Sequence, residues 1–313
     1  MENKPKIVIV VPCYNEQEVL PETYRRLGQF LSDNADVLSP DSRVLFVNDG
    51  SRDDTWKLIK EFSAADERFE GICFAHNAGH QNALWAGMDT VKDDCDAVIT
   101  IDADLQDDIG AMRGFVEEMN KGADVVYGVR SSRKSDTAFK RLTAEGFYRL
   151  MDALGVETVF NHADYRLLSR RALKALMEYG ESNLFLRGMV PTLGFTTAKV
   201  YYERHERFAG ESKYPLKKML AFAFQGITSF SVKPLRLIWV LGLLCALLSC
   251  LLGLILLIVP GTQAGFTAFS VWFMGGLVLA ALGLVGEYVG KVYGEVKHRP
   301  RYIIMESTRR EDR

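Results

Sequence analysis

Residues 237–286 contain not one charged side chain, and no other feature narrows the possible folds so far. Charge-free apolar sequence well beyond the roughly 20 residues of a bilayer span predicts membrane-crossing helices. Two spans are expected, over residues 235–259 and 266–288, joined by the turn Pro260-Gly-Thr-Gln-Ala-Gly265. Lys217, Lys218, Lys233 and Arg236 precede the first span, and Lys291, Lys297, Arg299 and Arg301 follow the second. An excess of lysine and arginine marks cytoplasmic flanks, so both termini are expected in the cytoplasm. The protein should then be a multi-pass protein of the inner (cytoplasmic) membrane. Ahead of the spans, residues 215–232 place lysines before an apolar remainder, as in a helix lying in the interface. Gly286 and Gly290, four apart, permit close helix packing, compatible with a homo-oligomer.

The first two-thirds of the chain reads differently. No secretory signal opens it, and apolar β-rich runs alternate with helical patterns. Strands are expected at Lys6-Ile-Val-Ile-Val-Val11, Val44-Leu-Phe-Val-Asn48, Gly71-Ile-Cys-Phe-Ala75, Ala97-Val-Ile-Thr-Ile-Asp102 and Asp124-Val-Val-Tyr-Gly128. Such alternation implies βαβ units and a doubly wound, Rossmann-like α/β sheet. A last strand is expected at Lys199-Val-Tyr-Tyr-Glu-Arg204. The predicted layout is a catalytic domain over residues 1–214, the interfacial helix 215–232, a two-helix membrane region 233–290 and a cytoplasmic tail 291–313. A formal net charge of −2 gives no reason to expect nucleic acid as a partner. The five cysteines include no C-x-x-C pair, so reduced thiols and no cysteine metal site are expected.

Each strand end carries polar residues. Ligands of open α/β sheets bind outside the carboxyl ends of strands, and there the fourth strand delivers Asp102-Ala-Asp104-Leu-Gln106. Paired hard carboxylates suit Mg²⁺ or Mn²⁺, which bind one or two carboxylates and then substrate phosphates. Asp102 and Asp104 therefore read as a metal and diphosphate clamp for a nucleotide sugar. A lone D-x-D is more often two solvated loop aspartates; its companions are what overturn that alternative. They are Pro12-Cys-Tyr-Asn-Glu16 after the first strand and Asn48-Asp-Gly-Ser51 after the second. Taken alone these are turns, with Asn15 as a helix cap and Ser51 with Asp54 as a capping box.

Together with Gly210-Glu-Ser-Lys-Tyr214, these motifs resemble the family 2 glycosyltransferases of GT-A fold. More narrowly, the chain is similar to polyprenyl-phosphate glycosyltransferases related to dolichol-phosphate mannose synthase, in the bactoprenol glucosyltransferase branch that carries membrane helices. The resemblance implies nucleoside contacts at Pro12, Tyr14, Glu16 and Asp49, and metal and diphosphate contacts at Asp102, Asp104 and Gln106. It implies that Asp164 faces the acceptor and that Lys213 meets phosphate when its loop closes. Two departures are His76, where arginine is common, and Asp107-Asp108-Ile, where prolines are common. Asn77 and Gln81 read as loop-holding residues outside the site.

Basic residues past the fifth strand suit an acceptor phosphate, because arginine offers planar paired donors and lysine a mobile charge. Arg130, directly after the strand, is the first choice, with Arg141, Arg207 and Lys213 beside it; Arg133 and Lys134 read as a solvated face. The expected reaction is inverting transfer of a sugar from a nucleotide diphosphate to polyprenyl phosphate at the cytoplasmic membrane face, with UDP-glucose as first choice of donor. GDP-mannose, a UDP-N-acetylhexosamine or an aminopentose donor are the alternatives. A processive polysaccharide synthase would require an Arg-Trp acceptor motif, where this chain has Arg187-Gly188. A non-catalytic scaffold would have no use for the strand-end carboxylates.

Overall fold

The computed structural model describes residues 4–131, 162–204, 228, 233–258 and 263–309. The chain divides into two compact units. The first comprises Met1–Glu145, Thr158–Lys213 and Pro300–Arg313, the second Gly146–Glu157 and Tyr214–Arg299.

In the first unit the elements run β1 (Ile7–Cys13), α1 (Leu20–Asp33), β2 (Arg43–Asn48), α2 (Thr55–Ala65), β3 (Phe69–Phe74), α3 (His80–Val91), β4 (Ala97–Thr100), α4 (Ala111–Asn120) and β5 (Val125–Arg130). After these come β6 (His162–Ser169), α5 (Arg170–Met177), α6 (Leu186–Thr192), β7 (Thr197–Tyr202) and, much later, β8 (Ile304–Ser307). They form one sheet in the order β7-β5-β6-β4-β1-β2-β3-β8. β3, β2, β1 and β4 are parallel, whereas β6 runs antiparallel between β4 and β5.

β1 is buried along its whole length, as expected of a strand covered on both faces. Ile7, Ile9 and Val11 join Leu20 and Leu27 of α1, Ile59 of α2 and Met112 of α4 in one core. The opposite face takes α3, pressed so close that a Cβ on Gly87 would lie 2.3 Å from Val10 Cγ1. Helices thus cover both faces, the doubly wound, GT-A-like arrangement expected. Only a residue without a side chain lets α3 lie this near the sheet, and α3 begins at the strands' carboxyl ends.

The expectation of β7 as the last strand is corrected by β8. Residues 300–309 return to the first unit, and β8 pairs antiparallel with β3, Ile72 opposite Ser307. Tyr302 stacks on Phe74 at 5.1 Å, and the Arg301 guanidinium lies 4.3 Å over the Trp85 ring. Part of the segment expected to be a tail therefore completes the sheet by covering the β3 edge, which would otherwise present unpaired backbone groups.

The second unit contains α7 (Lys233–Ile258) and α8 (Gln263–Val296). Among the described residues, one stretch, Phe273–Val296, is long and apolar enough to cross a membrane by length and composition. Trp239 on α7 and Leu279 on α8 are about 70% exposed, against the usual preference for burial. The expected interfacial helix lies outside the described residues, Thr228 excepted.

Candidate active site

The loops at the carboxyl ends of β1 and β2 are stitched together. Asn15 N–H donates to Ser51 Oγ at 3.0 Å and Glu16 N–H to Thr55 Oγ1 at 3.0 Å, while Arg52 N–H donates to Asn15 Oδ1 at 2.9 Å. Asn15 takes φ +54°, a left-handed turn that asparagine tolerates better than most residues. The bonds correct the capping-box reading: Ser51 serves the other loop, and α2 starts at Thr55 without a side-chain cap from Asp54. Asn15 is likewise no cap, since α1 starts at Leu20. Pro12 is buried in β1, and Tyr14 stands 40% exposed, so the aromatic ring is available at the rim.

Asp49 binds the loop after β3. It is 3% exposed, and its carboxylate accepts from Ala78 N–H at 2.6 Å, Gly79 N–H at 3.0 Å and Asn77 Nδ2 at 3.0 Å. Burial raises its pKa against the pull of those two backbone donors. Through these bonds Asp49 shapes the loop after β3. Asn77 holds that loop, as expected. Gly50 (φ +61°) makes the approach feasible, for a Cβ there would lie 2.6 Å from Asn77 N.

Asp102 and Asp104 follow β4, which ends at Thr100. Thr23 Oγ1 on α1 donates to Ala103 C=O at 2.9 Å and so fixes the loop from beneath. Leu105 has φ +57° and is 4% exposed, a bulky residue in a sparsely populated region that burial keeps there. The turn lets Gln106 N–H donate to Asp104 Oδ1 at 3.2 Å. Asp102 is 37% exposed on its side chain. Burial pushes its pKa up to about 6; His80 opposes the rise, while Asp107, Asp104 and Asp164 add to it. The Gln106 side-chain oxygen accepts from the Arg204 guanidinium.

Asp102 and Asp104 do fit a divalent cation. They are hard oxygen donors on one loop at a strand end, as Mg²⁺ and Mn²⁺ prefer. Among the described residues no three His, Cys, Asp or Glu side chains gather into an all-protein cage.

Arg130 is likewise bound by its neighbours. Its Nη2 donates to Asp107 Oδ1 at 3.0 Å and its Nε to Tyr202 Oη at 3.4 Å, while Tyr202 Oη donates to Asp107 at 2.6 Å. Asp107 is 2% exposed on its side chain and Arg130 25%. Burial disfavours the guanidinium's charge, and Asp107 more than compensates, so its pKa is raised. Arg130 thus ties β5, β7 and the clamp loop together, with a quarter of its side chain exposed. Arg141, Arg207 and Lys213 lie outside the described residues.

Asp164 sits on β6 at 6% exposure. Arg166 Nη2 contacts its Oδ1, Arg187 Nη2 lies 3.1 Å from Oδ2, and Gln81 Nε2 donates to Oδ2 at 3.3 Å. Burial alone would raise its pKa, but Arg187, His80 and Arg166 outweigh burial and hold it well below the carboxylate range. His80, in the first turn of α3, places Nε2 3.6 Å from Asp102 and 3.7 Å from Asp164. Burial opposes the imidazolium, and the two aspartates together raise its pKa. His80, Arg166, Arg187 and Arg204 contact the candidate residues without having been singled out from the sequence, and Gln81, read there as loop-holding, also contacts Asp164. The polar tract His76-Asn-Ala-Gly-His80-Gln81 after β3 is the signal that points to His80 and Gln81.

Residues 8–177 match the model of glycosyl transferase family 2. The chain is 50% identical over 310 residues to the uncharacterized glycosyltransferase YkoT of Bacillus subtilis (strain 168), spanning 97% of this chain and 92% of that one. It is 39% identical over 312 residues to the SfII prophage-derived bactoprenol glucosyl transferase of Shigella flexneri, spanning 97% and 99%. The prophage bactoprenol glucosyl transferase homolog of Escherichia coli (strain K12) is 37% identical over 306 residues, spanning 96% and 98%.

Proposed function

The chain belongs to glycosyl transferase family 2, and from that membership we propose that it moves a sugar from a nucleotide diphosphate onto polyprenyl (undecaprenyl) phosphate. The observation that carries this reading is the crevice in which Asp102 and Asp104 lie beside His80 and an Asp164 engaged by the guanidiniums of Arg166 and Arg187. A carboxylate whose pKa two guanidiniums and a histidine pull down is a weakened general base, since efficient bases titrate near the working pH. A hydroxyl acceptor would need a better one. A phosphate monoester, with a second pKa near 6, arrives already anionic at neutral pH and needs none.

The step balances without a proton transfer. A phosphate oxygen forms the bond to the anomeric carbon, and the bond from that carbon to the diphosphate oxygen breaks. The nucleoside diphosphate leaves with the electron pair, and attack from the opposite face inverts the anomeric centre. Asp102 and Asp104 would hold Mg²⁺ or Mn²⁺, which neutralises charge on the leaving diphosphate. Pro12, Tyr14 and Glu16 border the nucleoside, and Asp49 holds the loop beneath it. Asp164 orients its neighbours.

Full-length similarity to proteins named bactoprenol glucosyl transferases supports the lipid acceptor and makes UDP-glucose the first donor to try. The charge-free block supports two membrane spans over residues 233–290, with the catalytic domain and both termini in the cytoplasm. Arg130, Arg141, Arg207 and Lys213 are the acceptor-side cations proposed from the sequence, and a homo-oligomer the proposed assembly. Purified full-length protein incubated with undecaprenyl phosphate, Mg²⁺ and a panel of radiolabelled nucleotide sugars tests this. Label should pass into the organic phase from one donor; none from any donor would end the proposal.

A further inference from the structure

Residues 301–309 lie as a strap along β3. Because β8 runs antiparallel to β3, the strap's first residues fall at the carboxyl end of β3, where the site loops begin. Residues 75–79 join β3 to α3. Asp49 holds that connection from within, through Ala78 N–H, Gly79 N–H and Asn77 Nδ2. The strap holds both of its ends. Ile303 C=O accepts from the N–H of Ala75, the first residue past β3, at 2.9 Å. Tyr302 stacks on Phe74, the last residue of β3, with the rings 10° from parallel. The Tyr302 Oη donates to Asp89 Oδ2 on α3 at 3.1 Å.

Arg301 adds a second hold on the helix. Its guanidinium lies 4.3 Å over the Trp85 ring, and its Nη2 donates to Tyr179 C=O, just past α5, at 3.0 Å. Trp85 and Asp89 are four positions apart and so neighbours on one flank of α3. Gly87 sets how near α3 lies to the sheet, and the strap bears on its flank. That helix begins with His80 and Gln81, which reach Asp102, Asp164 and the Leu186 N–H. The His80 separations of 3.6 and 3.7 Å leave little room for drift. A misplacement of about 1 Å can cost roughly a hundredfold in rate, even when its origin is far from the chemistry. The later half of the strap grips elsewhere: Glu306 accepts from Trp56 Nε1, and Arg309 meets Glu70 and Asp94.

We propose that Tyr302, supported by Arg301 and Ile303, is a positioning residue of the active site, fixing through Phe74, Ala75 and α3 where His80 and Gln81 meet the two carboxylates. Its effect on rate rests on transfer to a polyprenyl phosphate being the reaction. The proposed nucleoside side of the crevice is stitched between the loops after β1 and β2, away from the strap's contacts. Turnover should therefore suffer when the strap's first half is weakened, and nucleotide affinity should not.

Tyr302→Ala, Tyr302→Phe and Arg309→Ala in the full-length protein test it. Tyr302→Ala should lower kcat roughly ten- to a hundredfold while UDP affinity, measured by calorimetry with Mg²⁺, stays constant. Tyr302→Phe keeps a ring on Phe74 and should recover most of the loss. Arg309→Ala loosens the far half of the strap, so its Tm should fall while kcat holds. Arg301→Ala, which leaves Tyr302 in place, should show the same fall in kcat in smaller measure, and it stands in if Tyr302→Ala does not fold. Hydrogen exchange read by mass spectrometry needs no turnover: the peptide spanning Ala75–Gly79 should exchange faster in Tyr302→Ala and Arg301→Ala than in wild type, and at the wild-type rate in Arg309→Ala. Loss of kcat merely in proportion to loss of Tm across these variants, or unchanged exchange of that peptide in both Tyr302→Ala and Arg301→Ala, would overturn the proposal. Absence of any transfer by the wild type would overturn the reaction instead, and exchange alone would then decide the role of the strap.

Discussion

Replacing Arg309 by alanine should loosen the return of the chain onto the sheet, and the structure sets the size of the effect. Arg309 Nε lies 3.2 Å from Glu70 Oε2 and its Nη2 2.7 Å from Asp94 Oδ2, with Nη1 donating to Thr90 C=O at 2.8 Å. Arg43 occupies the same two carboxylates from inside, at 3.1 and 2.5 Å. Two arginines therefore balance two acids, and removing Arg309 leaves a negative charge uncompensated. Breaking a fully buried pair costs about 3–5 kcal/mol, and breaking an exposed one about 0–1 kcal/mol. Arg309 at 24%, Glu70 at 8% and Asp94 at 21% side-chain exposure stand between these limits, which argues for about 2 kcal/mol. For a unit of this size that lowers Tm by roughly 4–8 °C. Thermal unfolding of the full-length protein in detergent, followed by tryptophan fluorescence, would measure it. Arg25→Ala is the control, because the Arg25 side chain is 60% exposed in its pair with Glu22. A shift for Arg309→Ala no larger than the control's would mean that residues 300–309 do not hold the sheet edge as described.

Three further outcomes are expected. Asp104→Ala should abolish transfer and weaken nucleotide-sugar binding in Mg²⁺ while leaving thermal stability near wild type; full activity in EDTA would mean that no metal clamp operates at this loop. Cysteine labelling should place residues near Gln263 outside the cytoplasm and those past Lys291 inside, whereas a cytoplasmic signal at Gln263 would indicate a re-entrant hairpin. Burial pushes the Cys95 thiol up to about 12 and the Cys13 thiol well above its ordinary value, so neither should react with iodoacetamide at pH 8 until the protein unfolds. Rapid modification of either in the folded protein, read by mass spectrometry, would contradict the burial of β1 and of the turn before β4.

What the sequence makes legible is local. Strands β1 to β5 announce themselves as short apolar runs, and the topology of such sheets sends the residues after them to one edge. Asp102, Asp104 and the Tyr14 loop can therefore be located from the sequence. Pairings between distant residues cannot. Gln81 reaches Leu186 across 105 positions, and Arg309 reaches Glu70 across 239, and no periodicity records either. The same blindness explains Asp49 and Arg130. Both lie where a ligand-binding residue belongs, and their partners within the protein, Ala78 and Gly79 for one and Asp107 and Tyr202 for the other, come from distant parts of the chain. The capping-box pattern at Ser51 and Asp54 is outcompeted in the same way, by the neighbouring loop's Asn15 N–H. From the sequence the sheet ends at β7 because the membrane block interrupts the chain, and nothing in residues 304–307 names β3 as their partner.

The nature of the bond that breaks is the point on which the proposed reaction turns, and the nucleotide released reports it. Transfer of the sugar alone breaks the bond between the anomeric carbon and the diphosphate. Chromatography of a completed reaction with UDP-glucose, or whichever donor is used, should then yield the nucleoside diphosphate in equal amount with a lipid bearing one phosphate and one sugar. Release of the nucleoside monophosphate with a lipid diphosphate sugar would mean that phosphorus is the centre attacked, and Asp102, Asp104 and Asp164 could not then have the roles proposed for them.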